Sequence, residues 1–366
     1  STGGTAKLLK KNNIKVTDVS DYTGFPEMMD GRIKTLHPKI HGALLAKRSN
    51  KEHVKQAKQQ DIKFIDLVAV NLYPFKETIS IKNVTHEKAI EHIDIGGPTM
   101  IRSAAKNYKD VLIVVSPNDY DSIIYHLNEK IPFKEAYRRR LATRAFKHTA
   151  RYDALIGAYM STAVQEERYP SITNFSFMKQ QDLRYGENPH QRAAFYKDEN
   201  IKEACITSSK QLGGKELSYN NILDADGALE LVKEFKHPAC AVIKHANPCG
   251  VAERKTIEKA FEDAYNCDTL SAFGCIVALN RDCALKTAKL LKGKFIEVVI
   301  APKYEKNALK FLKENKKNLR ILETGPLTKS NDGFNLKKVV GGVLIQTRNW
   351  PDIDNIQLKT VTKRKP

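Results

Sequence analysis

The amino-acid sequence predicts an α/β protein made of two successive layered units. Short apolar, β-branched runs alternate with helical patterns along most of the 366 residues, the pattern of helices packed on largely parallel sheets. Runs such as Val111-Leu112-Ile113-Val114-Val115 fall far short of the roughly 20 residues that span a bilayer, so no membrane segment is expected. Periodicity lapses over "STAVQEERYPSITNFSFMKQQ", residues 161–181. A boundary is therefore expected near residues 165–180, with one unit over 1–170 and a second over 177–366.

The first unit opens on "STGGTAKLLKK". Its Gly-Gly turn exposes backbone N–H groups, and a helix expected from Thr5 points its positive end at the same spot; a phosphate would sit there, although such a turn is also ordinary helix punctuation. "MMDGRIKTLHPKIHG", residues 28–42, gathers Arg32, Lys34, His37, Lys39 and His41. On an extended segment Arg32 and Lys34 face the same side and could clamp one anion; the plain alternative is a solvated basic loop. His37 and His41 have no Cys or carboxylate at ligand spacing, which argues against a metal.

A strand expected over Phe64–Val70 leaves Asn71 and Tyr73 of "NLYPF" at its carboxyl end, where open α/β sheets bind ligands. Helices over Glu87–His92 and Pro98–Asn107, with Pro98 in the first helical position, flank "HIDIGGPT". Asp94 there suits either turn chemistry or proton movement. After a strand at Val111–Val115, a long helix is expected over 138–160. Leu141, Ala145, Phe146, Leu155, Ile156 and Tyr159 suit its buried side.

In the second unit "DLRYGENPHQ", residues 182–191, clusters Arg184, Tyr185, Asn188 and His190, more distinct polar side chains than a spacer needs. Asn220 and Asn221 of "LSYNN" precede a helix over 224–236, where one of them would cap. Strands are expected at Cys240–Lys244, Gly274–Leu279, Phe295–Ile300 and Val339–Ile345, with a helix over 255–266 and with Ser271 and Gly274 turning the chain into the second strand. The first of these strands ends in Lys244-His245, and Asn247-Pro248-Cys249-Gly250 is expected to turn the chain and present the pair. Three chemistries are open at this point: Cys249 as a nucleophile with His245 as its base, a metal ligand set, or proton transfer by Lys244 and His245. Burial at a strand end would favour the neutral forms that acid-base work requires.

The formal net charge of +19 is spread evenly, with 28 basic and 19 acidic residues up to position 168 and 33 and 23 beyond it. With no basic tail, stripe or interleaved aromatics, this favours Lys-rich solvated faces and the attraction of small polyanions over nucleic-acid binding. The six cysteines, at 205, 240, 249, 267, 275 and 283, form no CxxC pair and no secretory signal stands before them, which suits reduced thiols and a cytoplasmic home.

Taken in order, "STGGTA", "GFPEMMDGRIKTLHPKIHG", "NLYPF", "IDIGGPT", "RSAAKN", "DLRYGENPHQ", "LSYNN", "KHANPCGVA", "SAFG" and "VTKRKP" closely resemble one family, the bifunctional AICAR transformylase/IMP cyclohydrolases of purine biosynthesis. The resemblance runs along essentially the whole chain. It implies a methylglyoxal-synthase-like parallel-sheet domain followed by the first subdomain of a cytidine-deaminase-like α/β domain that lacks the zinc. The first closes formyl-AICAR to IMP with loss of water, and by matching motifs Lys34, Tyr73, Asp94 and Lys106 look like its catalytic group. Ser1, Thr2, Gly4 and Thr5 would hold the 5′-phosphate with Arg32, and Thr35 and Asn71 fall among the substrate-binding positions.

The second domain is implied to transfer a formyl group from 10-formyltetrahydrofolate to the 5-amino group of AICAR. His245 looks like the general base and Lys244 its partner, while Arg184, Tyr185, Asn221, Gly274 and Glu297 resemble nucleotide contacts. In the family these pockets form at a homodimer interface, so Arg184 would serve the neighbouring subunit's site. Family members also carry a strand and a Ser-Asp-Lys phosphate loop ahead of "STGGT" and a second deaminase-like subdomain after "VTKRKP". The expectation is a chain cut at both ends, with a damaged phosphate pocket and an incomplete transformylase site. From other classes, a non-catalytic nucleotide- or RNA-binding protein and a hydrolase centred on Cys249 remain the alternatives.

Overall fold

The run Val111–Val115 is buried throughout and lies at the heart of the first of two units, Ser1–Ser176 and Phe177–Pro366. The computed structural model describes residues 3–163, 169–198, 201, 203–329, 333–349, 360, 361 and 363.

The first unit runs α1 (Gly3–Lys11), α2 (Val19–Thr23), α3 (Pro38–Leu45), α4 (Lys51–Gln59), β1 (Leu67–Ala69), α5 (Phe75–Ile79), α6 (His86–Glu91), α7 (Gly96–Lys106), β2 (Leu112–Val114), α8 (Tyr120–Asn128) and α9 (Glu135–Ala163). Strands β1 and β2 pair in parallel, Val68 opposite Ile113. Their core joins Ile40 and Leu44 of α3, Ile101, Ala104 and Ala105 of α7, and Leu141, Ala142 and Ala145 of α9. The spacing of those α9 residues is the helical period read from the sequence, but Phe146, expected inside, is 40% exposed. Helix α7 begins at Gly96, two residues before the expected Pro98 start. The Asp94 carboxylate accepts the Gly97 N–H at 2.8 Å and so initiates the turn earlier, and Pro98 fits the first turn because its missing N–H would have had no helical partner there.

The second unit runs β3 (Met178–Leu183), β4 (Ala193–Lys197), β5 (Lys210–Gly213), α10 (Tyr219–Val232), β6 (Ala239–Lys244), β7 (Asn247–Glu253), α11 (Ile257–Asn266), β8 (Cys275–Leu279), α12 (Leu285–Leu291), β9 (Ile296–Ala301), α13 (Lys306–Asn315), β10 (Arg320–Glu323), β11 (Phe334–Val339) and β12 (Gly342–Thr347). Its main sheet has the order β5-β10-β9-β8-β6-β7. Only β8–β9 and β9–β10 are parallel; β10–β5, β6–β8 and β6–β7 are antiparallel, so the expectation of a largely parallel sheet fails here.

Helices cover both faces of this sheet, which is why its central strands read as unbroken apolar runs. Along β6, Ala239, Ala241 and Ile243 pack with Ala225 and Leu229 of α10, while Cys240 and Val242 pack on the opposite side with Phe261 and Ala264 of α11. The expected strand over Val339–Ile345 is instead two strands of a hairpin, β11 and β12, because the chain reverses at Val340-Gly341 with Gly341 at φ 77. Behind α10, the fully buried Lys233 ammonium lies 2.7 Å from Glu230 and 3.5 Å from Glu203, and Arg348 pairs with both of those glutamates.

Gly250 of β7 packs so close to α11 that a Cβ there would overlap the Ala264 carbonyl oxygen and lie 2.7 Å from Cys267 Cβ. Gly250→Ala is therefore expected to destabilise the fold by about 2–3 kcal/mol, read as a lower denaturant midpoint.

Candidate active sites

In the first unit the predicted residues converge on two helix starts. Gly3, Gly4 and Thr5 form the exposed first turn of α1, and Ser1 and Thr2 lie outside the described residues. Lys34 Nζ comes within 3.9 Å of where a Cβ on Gly3 would stand, so the ammonium and the positive end of α1 face one spot, with Glu27 balancing the lysine at 2.9 Å. Thr35 is buried against Gly96 at the start of α7. Asp94, already bound to Gly97, also takes the Tyr73 N–H at 3.4 Å, and its own N–H donates to Tyr152 Oη at 2.8 Å. Tyr73 thus sits against Asp94 with its side chain exposed.

Three predicted positions stand apart. Arg32 and Lys34 lie in consecutive turns and not on an extended segment; Arg32 pairs with Glu91, so in this structure the two cations face different carboxylates. Asn71 donates to Tyr120 Oη at 3.2 Å. Lys106 ends α7, ten residues beyond Gly96 and thus about 15 Å away at the helical rise per residue. His37 caps α3, its Nδ1 accepting the Lys39 N–H, and His41 Nδ1 lies 3.0 Å from Ser103 Oγ.

The second unit corrects the reading of "KHANPCG". Residues Asn247–Gly250 do not turn the chain; they begin β7, with Asn247 paired to Lys244. His245 and Ala246 are themselves the turn, both left-handed, at φ 54 and 58. Each such residue with a Cβ costs roughly 1–2 kcal/mol. The buried Asp224 of α10 offsets this: its carboxylate accepts the His245 N–H at 3.2 Å and the Ala246 N–H at 2.7 Å, bonds of a kind that contribute about 1.5–3 kcal/mol. The expected burial of the pair is not found, since His245 is exposed and Lys244 half-buried, its Nζ donating to the Phe273 carbonyl at 2.7 Å.

The pair opens on a cleft of about 380 Å³ whose other walls include Pro248, Cys249, Asp268 and Ser271. Hydrogen bonds from Ser271 hold the Asp268 carboxyl below the usual carboxylate range, so it is ionised. Burial, reinforced by Asp268, pushes the Cys249 thiol up, the opposite of what a nucleophile needs. Cys275 and Cys283, buried in the core, are pushed up to about 12. Among the described residues, no group of three or more His, Cys, Asp or Glu could hold a metal ion.

Gly274 takes φ 78 and donates its N–H to Phe295 at 2.9 Å, carrying the chain from the cleft wall into β8. Asn221 is inside α10, not before it; it completes a capping box with Ser218, and its Nδ2 reaches Glu297 Oε2 at 3.0 Å, which Arg320 also holds at 2.9 Å. Arg184 lies over the Tyr185 ring at 5.9 Å, and neither lines the cleft. Their loop reaches α10 through Asn220, which donates to the Glu187 carbonyl at 3.3 Å. Sequence reasoning missed Asp224 and Asp268. The Asp-x-x-Ser spacing of Asp268 and Ser271 was a readable turn signal, whereas Asp224 had none, standing 21 residues from the backbone it binds.

A family model for the AICARFT/IMPCHase bienzyme matches residues 104–366, and one for the MGS-like domain matches residues 1–99. The bifunctional purine biosynthesis protein PurH of Thermoanaerobacter sp. (strain X514) is 54% identical over 366 residues, covering 100% of this chain and 71% of that protein. The protein of the same name from Bacillus cereus is 50% identical over 366 residues, with the same coverage. Among solved structures, that of ForH is 31% identical over 42% of this chain and 81% of its own, with a TM-score of 0.37.

Two measurements check the electrostatics. Alkylation of Cys249 at pH 8 is expected to be slower than that of a free cysteine, as mass spectrometry after timed iodoacetamide treatment would read. Burial holds the folded His41 below the ordinary histidine value of ~6.5, so the stability this contributes is complete above that pH and is lost as pH falls through the folded value. Urea midpoints should fall on acidification below ~6.5, and less steeply in His41→Gln.

Proposed function

The chain belongs to the AICARFT/IMPCHase bienzyme family, and from that premise we propose which of its residues carry the two reactions and in what setting they work. The protein is a bifunctional enzyme of purine biosynthesis, an AICAR formyltransferase and IMP cyclohydrolase, with a formyl-folate co-substrate. The observation that carries this is the match to proteins of both activities along the entire chain, at 54% identity in the Thermoanaerobacter protein.

The co-substrate of our proposal is 10-formyltetrahydrofolate. The 5-amino group of AICAR attacks its formyl carbon, His245 removes the amine's proton, and the tetrahedral adduct collapses as N10 leaves with a proton. Lys244 has ammonium hydrogens beyond the one given to Phe273, and these can meet the oxyanion. Exposed Leu270, Phe273 and Phe295 beside the cleft offer an apolar surface to a flat heterocycle, with the two phenyl rings 4.8 Å apart. Tyr185, Asn221, Gly274 and Glu297 bind the nucleotide, and Arg184 does so in the site of the neighbouring subunit of a homodimer.

In ring closure the carboxamide nitrogen of formyl-AICAR attacks the formyl carbon, and the adduct loses water to give IMP. Lys34 stabilises the oxyanion, and Asp94 with Tyr73 orients the amide and relays protons; the Asp94 carboxylate accepts the Tyr73 backbone N–H, which keeps the two residues adjacent. The first turn of α1 receives the 5′-phosphate with Arg32, which must leave Glu91 to reach it, and Thr35 and Asn71, the latter released from Tyr120, complete the binding set. Lys106, at the far end of α7 from Gly96, is the fourth proposed member of the catalytic group. The domain limits of this reading are 1–170 and 177–366, and the setting is the cytoplasm.

His245→Ala is expected to lower formyl transfer by about 10²–10⁴ and leave ring closure intact, and Lys34→Ala to do the reverse, with the two half-reactions assayed separately. Cys249→Ala should keep formyl transfer. Parallel loss of both activities in either of the first two variants would sink the assignment.

A further inference from the structure

The roles above leave Asp224 unused, although it is a carboxylate buried in α10 with both oxygens committed to the backbone of one turn. Two-residue hairpin turns with both central residues left-handed are ordinarily built from Asn-Gly or Gly-Gly, and here they are His245 and Ala246. The two residues are exposed, while their N–H groups point inward to the buried carboxylate, which gives each a charged acceptor. What the carboxylate does, and water cannot, is select one backbone conformation at the residue that carries the imidazole.

The platform behind Asp224 is rigid. One helical turn before it, Asn221 closes the capping box and holds Glu297; directly after it, Ala225 enters the core against β6. The strand that delivers the turn is buried on both faces. Asp224 therefore ties the imidazole-bearing turn to the same helix that holds Glu297.

We propose that Asp224 is a positioning residue for formyl transfer: it holds the His245-Ala246 turn in its left-handed form, so that the imidazole stands at the Lys244 cleft. This rests on the reading of His245 as the base for that reaction. The ring-closing activity of the same chain supplies an internal control, since its residues belong to the other unit.

In Asp224→Ala, kcat for formyl transfer is expected to fall about 100-fold, the scale of a small misplacement of a reacting group, with the KM for AICAR changed by no more than about threefold and ring closure unchanged. Amide hydrogen exchange at His245 and Ala246 should accelerate by about tenfold or more. Adding Ala246→Gly, which takes the left-handed conformation without steric cost, should recover about tenfold of kcat, with Ala246→Gly alone as the reference. If Asp224→Ala fails to fold, Asp224→Asn carries the test, because it keeps the shape and one acceptor and should show a smaller loss of kcat and one fast-exchanging amide. Wild-type kcat and unchanged exchange in the variant would overturn the proposal, as would equal loss of both activities or no recovery with glycine. Absence of formyl transfer in the unsubstituted protein would instead refute the activity, and the exchange rates would still decide whether Asp224 holds the turn.

Discussion

Strand β6 is buried on both faces, and the arrangement of the second unit depends on that constraint. Ala239, Ala241 and Ile243 are committed to α10 while Cys240 and Val242 are committed to α11, so a one-residue slip would move every side chain into the wrong layer. The strand's end is thereby pinned, and Lys244, the first residue to leave the core, is delivered to the Phe273 carbonyl. Gly250 on β7 lets α11 close over the same sheet, so packing and cleft wall come from one arrangement.

The first unit reaches a similar result with different means. Its site is assembled on two helix starts: at α7 the Asp94 carboxylate accepts a backbone N–H that has no helical partner, and at α1 the Lys34 ammonium faces the exposed first turn. Asp94 is the hub: one carboxylate fixes the beginning of α7 and the backbone of Tyr73, and the Asp94 N–H is met by Tyr152 of α9. Lys34 at the start of α1 and Thr35 at the start of α7 are neighbours in the chain, so a single turn feeds both places. Both units set a lysine near a carboxylate, Lys34 with Glu27 beside the start of α1 and Lys244 with Asp268 along one cleft.

Much of this was legible in the residues. Burial of β6, β8 and β9 on both faces is written in their unbroken apolar runs, and the long α9 in its repeating apolar positions. Lys244-His245, Asp94 and Tyr73 stand out as polar groups where such runs end. Errors cluster where local signals compete with distant ones: Asn-Pro-Cys-Gly has the composition of a turn yet is strand, because β7 pairs along β6. Val339–Ile345 has the composition of a strand yet contains a reversal, because Gly341 admits a left-handed backbone.

By itself the sequence determined the burial of the central strands β2, β6, β8 and β9, since unbroken hydrophobic runs are local properties, and its ordered motifs determined the family. Only the tertiary structure decided where β6 turns and what holds that turn. A left-handed conformation at His245 and Ala246 is unfavourable to both residues taken alone, and it stands on two hydrogen bonds from a carboxylate that the packing of α10 brings to it. No local conformational preference at His245 or Ala246 contains that contact, because its energy exists only once the helix and the sheet have met.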